Sequence, residues 1–193
     1  MPTTATRSRR RARADDAPAR PLAGGPRSTG STGATGSTRS TGVRGVLPTL
    51  SLAVQYAAGG ADLPTRAQAR RWLRRALERP AAITLRFVDE AEGRALNATY
   101  RGRDYATNVL TFVYSEPGAR AALAGDIVVC VPVVHREAAR QRRRVAAHFA
   151  HLVIHGALHL QGYDHETAAD AARMEMRETA ILGKFGIPDP YRS

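Results

Sequence analysis

Five of the six histidines of this 193-residue chain lie between positions 148 and 165, in the segment His148-Phe-Ala-His151-Leu-Val-Ile-His155-Gly-Ala-Leu-His159-Leu-Gln-Gly162-Tyr-Asp-His165-Glu166. At about 100° per residue, a helix places His148, His151, His155 and His159 in one stripe. His155 and His159, spaced i and i+4, can direct two imidazole nitrogens at one point about 2 Å from each, as a transition metal requires. Gly162 can take the left-handed conformation that ends the helix and turns the chain back, bringing up His165 as a third nitrogen ligand. Three protein ligands leave a fourth position open, the arrangement of a catalytic rather than a structural zinc. All-imidazole ligation also suits zinc better than magnesium or calcium. Cys130 is the single cysteine, which excludes a CxxC motif and an intramolecular disulfide framework and fits a reducing compartment.

The neighbours of these three residues have two readings each. His151, one turn before His155, either contacts a ligand or substrate from outside the metal or is a partly buried helix residue. Asp164 and Glu166 either orient a ligand imidazole, Asp164 being the better placed, or start the next helix. His135 has no partner in sequence and is expected at the surface. The spacing His-x3-His-x2-Gly-x2-His is also that of the metzincin peptidases, which carry a glutamate base immediately after the first histidine. Here that position is Gly156. A metzincin-like metallopeptidase would therefore lack its base, which favours a substrate whose cleavage depends on Lewis-acid activation and charge neutralisation, such as a phosphodiester.

The elements that must hold these residues follow from the apolar pattern. Leu50, Leu52, Val54 and Tyr56 alternate with small or polar residues as in a half-buried strand. Between Pro64 and Pro80, Ala69, Trp72, Leu73, Ala76 and Leu77 recur at helical spacing with arginines on the other face, making Trp72 a core anchor. Ile83 to Phe87 is a second strand, and Asp89 caps a helix running toward Tyr100. Val109 to Tyr114 and Ile127 to Val131 are β-branched runs bounded by turn residues. Pro132 suits a first helical turn, after which the stretch to Arg144 is helical in composition. Residues 144–161 and 166–182 complete the helices. This order predicts a single α+β domain over residues 46–193, with a small mixed sheet of about four strands packed against about five helices.

The formal net charge of +12 is unevenly spread: residues 1–45 hold nine arginines against Asp15 and Asp16, which leaves +5 for the rest. That segment is rich in Arg, Ser, Thr, Gly and Pro, and its composition predicts a disordered extension. It is either a dispensable tail or a basic arm for RNA phosphates; an organellar transit peptide is the minor alternative. The remaining domain is mildly basic, consistent with an acidic partner such as nucleic acid, whose site would be a positively charged cleft. No apolar run approaches the roughly 18 residues of a membrane span, and the first residues lack a secretory signal. No membrane role and a cytoplasmic location are the expectations.

The segment from His155 to His165 resembles the signature of the YbeY endoribonucleases, the bacterial ribosomal RNA maturation factors. The block Leu96-Asn97-Ala-Thr-Tyr100-Arg101-Gly102-Arg103-Asp104-Tyr-Ala-Thr107-Asn108-Val109-Leu110-Thr111-Phe112 is similar to them as well, as are Gly125-Asp126-Ile127 and the Asp189-Pro190-Tyr191 ending. The resemblance spans roughly residues 50–191. It departs at Ala106, usually proline, and at Thr111, usually serine. It implies one zinc per chain bound by His155, His159 and His165, and an arginine, Arg101, required for activity. A forked, permanently charged guanidinium suits a phosphodiester transition state that gathers negative charge.

The implied function is a zinc-dependent, single-strand-specific endoribonuclease acting at the 3′ end of 16S ribosomal RNA and in ribosome quality control. Its partners would be single-stranded rRNA and the small subunit or its associated proteins. No general base stands out, and attack by an activated water or by a ribose 2′-hydroxyl both stay open. The alternatives are the metallopeptidase and a non-catalytic, zinc-stabilised ribosome assembly factor.

Overall fold

A computed structural model describes residues 47–60, 62–114 and 122–192 of the chain. The extension expected over residues 1–45 lies outside them. Four strands, β1 (Leu50–Tyr56), β2 (Ala81–Val88), β3 (Val109–Val113) and β4 (Leu123–Cys130), form one sheet in the order β1-β2-β4-β3. β1, β2 and β4 run parallel, with Leu52 opposite Ile83 and Ile83 opposite Gly125, while β3 pairs antiparallel with β4. Five helices accompany them: α1 (Arg66–Ala76), α2 (Glu90–Arg101), α3 (Val131–Arg140), α4 (Val145–Leu160) and α5 (Ala168–Gly183). The α+β architecture expected from the sequence is the one observed.

Helix α4 is the centre of the molecule. Eleven of its residues are buried, so it is apolar nearly all round, as a helix enclosed by other elements must be. The main core joins it to the inner face of the sheet and to α1 and α5, through Phe87, Ile127, Phe149, Ile154, Leu158 and Ile181 among others. A smaller cluster of Val88, Leu110, Val128, Cys130 and Val133 is joined by Leu96 of α2 and by Ala106. Trp72 is a core residue, as its place in the apolar stripe of α1 predicts.

Three boundaries differ from the sequence pattern. β4 begins at Leu123 rather than Ile127, because it is a central strand whose pairing on both sides overrides the poor strand propensity of Ala124, Gly125 and Asp126. Val131 belongs to α3, not to β4, since Pro132 sits in the first helical turn. α3 stops at Arg140 rather than running to Arg144. Arg142 adopts φ 54°, and the amides of Arg142 and Arg143 donate to the carbonyls of Ala139 and Ala138. That is a Schellman turn made without glycine, so composition carried no sign of it. His135 is half-buried, its ring edge-on to Phe149 at 6.0 Å between centroids, and not the surface residue expected.

Candidate metal centre

The stripe of four histidines forms along α4, with ring centroids of 6.2 Å from His148 to His151, 6.1 Å from His151 to His155 and 4.5 Å from His155 to His159. The helix ends as its glycine predicts. Gly162 has φ 87°, its amide donates to the carbonyl of His159 at 3.0 Å, and the amide of Tyr163 donates to that of Leu158 at 3.2 Å. This turn returns the chain so that the His165 ring lies 5.8 Å from His155 and 5.1 Å from His159. One ligand atom from each of His155, His159 and His165 lies within 4.8 Å of the other two.

The nitrogens themselves test whether these residues fit a metal. Nε2 of His155 and Nε2 of His159 are 3.0 Å apart, close to the roughly 3.3 Å edge of a tetrahedron with 2.0–2.1 Å bonds. His165 Nε2 is buried without a hydrogen-bond partner, a costly state for a polar atom unless something else satisfies it. Asp164 Oδ1 lies 3.3 Å from His165 Nδ1 and also accepts the His165 backbone amide at 2.7 Å. The opposite edge of that ring is thereby occupied and Nε2 is left for a ligand. Three imidazole nitrogens, one of them buried without a hydrogen-bond partner, can hold a metal ion.

A carboxylate absent from the sequence reading closes the other side. Glu178 of α5 is completely buried. Its Oε1 accepts from His155 Nδ1 at 2.7 Å, its Oε2 from His151 Nε2 at 3.1 Å, and the Tyr191 hydroxyl donates to Oε2 as well. Burial alone would raise the Glu178 carboxyl, but the charge and hydrogen bonds of His155 and His151 outweigh it and hold it well below the usual carboxylate range. Burial pushes His151 down, against the pull of Glu178, and pushes the Tyr191 hydroxyl up, reinforced by Glu178. His151, His155 and Glu178 also converge as a possible cation set, and hydrogen bonds already join them.

At the far end of the stripe His148, which is buried, contacts Glu137 Oε2 through Nε2 at 2.8 Å, and Asn108 Nδ2 donates to the same oxygen at 3.1 Å. Arg101 is the last residue of α2. Gly102, with φ 66°, turns the chain out of that helix, and buried Asn97 donates from Nδ2 to the Tyr105 carbonyl at 2.7 Å, anchoring the loop that follows.

Arg101 lines the same cleft of about 1170 Å³ as His151, His155, Asp164 and His165; His159 is buried and does not line it. The expected positive charge is confined to part of the cleft. Arg101, Arg103, Arg140 and Arg143 line it from the end of α2 and the end of α3, whereas Asp164, Glu166 and Glu175 come from the α4–α5 turn and α5.

Gly156 explains why no peptidase base follows the first histidine. A Cβ there would lie 2.9 Å from Ile127 Cγ2, so α4 rests directly on β4 at this position. A glutamate side chain would meet the sheet rather than the cleft.

Three imidazole nitrogens converging beside an open cleft are a donor set of metal-dependent hydrolases, and known proteins narrow that class. The profile described as endoribonuclease YbeY matches residues 62–186. An endoribonuclease YbeY of Thiobacillus denitrificans is 59% identical over 146 residues, which cover 76% of this chain and 99% of the relative. Another, from Aromatoleum aromaticum, is 57% identical over 145 residues, covering 74% and 92%. The chain belongs to the endoribonuclease YbeY family.

Two contributors escaped the sequence reading. Glu178 had a legible signal, because it interrupts the buried stripe Met174, Ile181 and Leu182 with a charge. Tyr191 stood in the terminal motif without an assigned role.

Proposed function

We propose that this endoribonuclease holds one zinc ion on His155, His159 and His165 and cleaves single-stranded ribosomal RNA, with Arg101 clamping the phosphate that is cut. The observation that carries this reading is the 3.0 Å approach of His155 Nε2 and His159 Nε2 beside the orphaned, buried His165 Nε2. Zinc bound there supplies Lewis-acid polarisation of a phosphate oxygen and activation of water near neutral pH.

The chain's own side chains do the rest. Arg101 meets non-bridging phosphate oxygens with its fork and neutralises charge as it develops. Asn97 anchors the loop that follows Arg101. Asp164 orients His165 through Nδ1. The arginines lining the cleft position the RNA backbone. A substrate at the 3′ end of 16S ribosomal RNA, a small-subunit partner and a cytoplasmic location complete the proposal. Among the described residues no helix is long and apolar enough to cross a membrane.

The test is metal analysis of the purified protein paired with cleavage of a single-stranded rRNA fragment, with and without a chelator. One zinc per chain and chelator-sensitive cleavage support the reading. Cleavage indifferent to metal removal overturns it, and a 2′,3′-cyclic phosphate end on the product would assign the attack to the ribose hydroxyl.

A further inference from the structure

We propose that Glu178 is the positioning residue of the metal centre: it holds the His155 imidazole proton on Nδ1, so that Nε2 is the nitrogen presented toward His159 and His165. The proposal rests on the three-histidine reading above and adds a residue outside the ligand set.

The geometry carries it. The two nitrogens of His155 have different neighbours, with Glu178 Oε1 at 2.7 Å from Nδ1 and His159 Nε2 at 3.0 Å from Nε2. The carboxylate therefore lies on the edge of the ring away from the point where the ligands meet and is not itself a ligand. An ionised carboxylate has only acceptors. An imidazole that ligates a metal is neutral and has one N–H, so in that state the Glu178 contact places the proton on Nδ1 and directs the Nε2 lone pair toward the metal.

The carboxylate is itself held. Its second oxygen accepts from His151 Nε2 and from the Tyr191 hydroxyl. Tyr191 is fixed in turn by Asp189 Oδ1, which accepts the Tyr191 amide at 2.9 Å and the Thr179 hydroxyl at 3.2 Å. Among the described residues, His155, His151 and Tyr191 donate to this fully buried carboxylate. Such an arrangement orients the rings and makes a ligand more basic.

The experiment uses the full chain and the variant Glu178→Gln, which keeps the side-chain volume. Competition against a chromogenic chelator should show zinc binding weakened about 10–100-fold. Glu137→Gln, which alters the carboxylate at the other end of the stripe, should stay within about threefold of the unsubstituted chain. Circular dichroism and Tm of the zinc-free proteins are recorded alongside. In the unsubstituted, zinc-free chain, nitrogen-15 spectra of the histidines should show His155 protonated on Nδ1, a readout that does not depend on the variant folding. Zinc affinity unchanged by Glu178→Gln, or His155 protonated on Nε2, overturns the proposal. Failure of the underlying reading looks different: the unsubstituted chain would take up no zinc, or His155→Ala would retain it.

Discussion

The two ends of the α4 histidine stripe use the same pairing, imidazole with glutamate carboxylate, to opposite effect. At one end Glu137 contacts Nε2 of His148, the outer tip of the ring, and with Asn108 ties α3, α4 and the start of β3 together. At the other end Glu178 takes Nδ1 of His155 and leaves the outer tip turned to His159. A carboxylate on the outer nitrogen makes the histidine a structural tie. A carboxylate on the inner nitrogen makes it a prepared ligand. Both histidines lie on α4 beside a glutamate, and the nitrogen engaged is what separates the two ends.

Substitutions at both ends should break this contrast if it is wrong, and the largest effect belongs to the ligand end. His155→Ala should remove bound zinc and bring RNA cleavage to background, as measured by metal analysis and a gel-based cleavage assay. Arg101→Ala should lower kcat/KM roughly 10²–10³-fold while zinc content and Tm hold, separating charge clamping from metal binding.

His148→Ala should do the reverse. It should keep one zinc per chain but lose about 1–3 kcal/mol of stability in urea, because Glu137 loses a donor at a largely buried site. Retained stability with lost zinc would invert the assignment of the two ends.

The smallest effect is the acid response of the tie. Burial raises the Glu137 carboxyl, but its bonds to His148 and Asn108 prevail and leave it below the ordinary glutamate value of 4.5. A depressed folded-state pKa gives stability that is complete above about pH 4.5 and is lost as the pH falls through the lower folded value. Glu137→Gln should therefore flatten the decline of Tm below that pH, while the neutral-pH zinc content stays unchanged.

Much of this was legible beforehand because it rests on local rules. The strand alternation of residues 50–56, the stripe of α1, the cap at Asp89 and the glycine turn at Gly162 each depend on neighbours within a few residues, and each element stands where its pattern placed it. The early start of β4 and the glycine-free turn at Arg142 were not legible, since one depends on two partner strands and the other on a backbone conformation its residue type does not favour. Glu178 and His155 are 23 residues apart on different helices, and no periodicity within either helix links them.

The sequence by itself determined the three convergent histidines and the turn that joins them, because i, i+4 spacing and a helix-ending glycine fix geometry over a single turn; Arg101 was singled out by resemblance to a family motif alone. Only the tertiary structure decided which nitrogen of each histidine is engaged, that the positive charge occupies part of the cleft, and that Gly156 has no room for a peptidase base. Those outcomes depend on what α5, β4 and the C-terminal residues bring against α4, and such long-range contacts arise from packing the whole core at once.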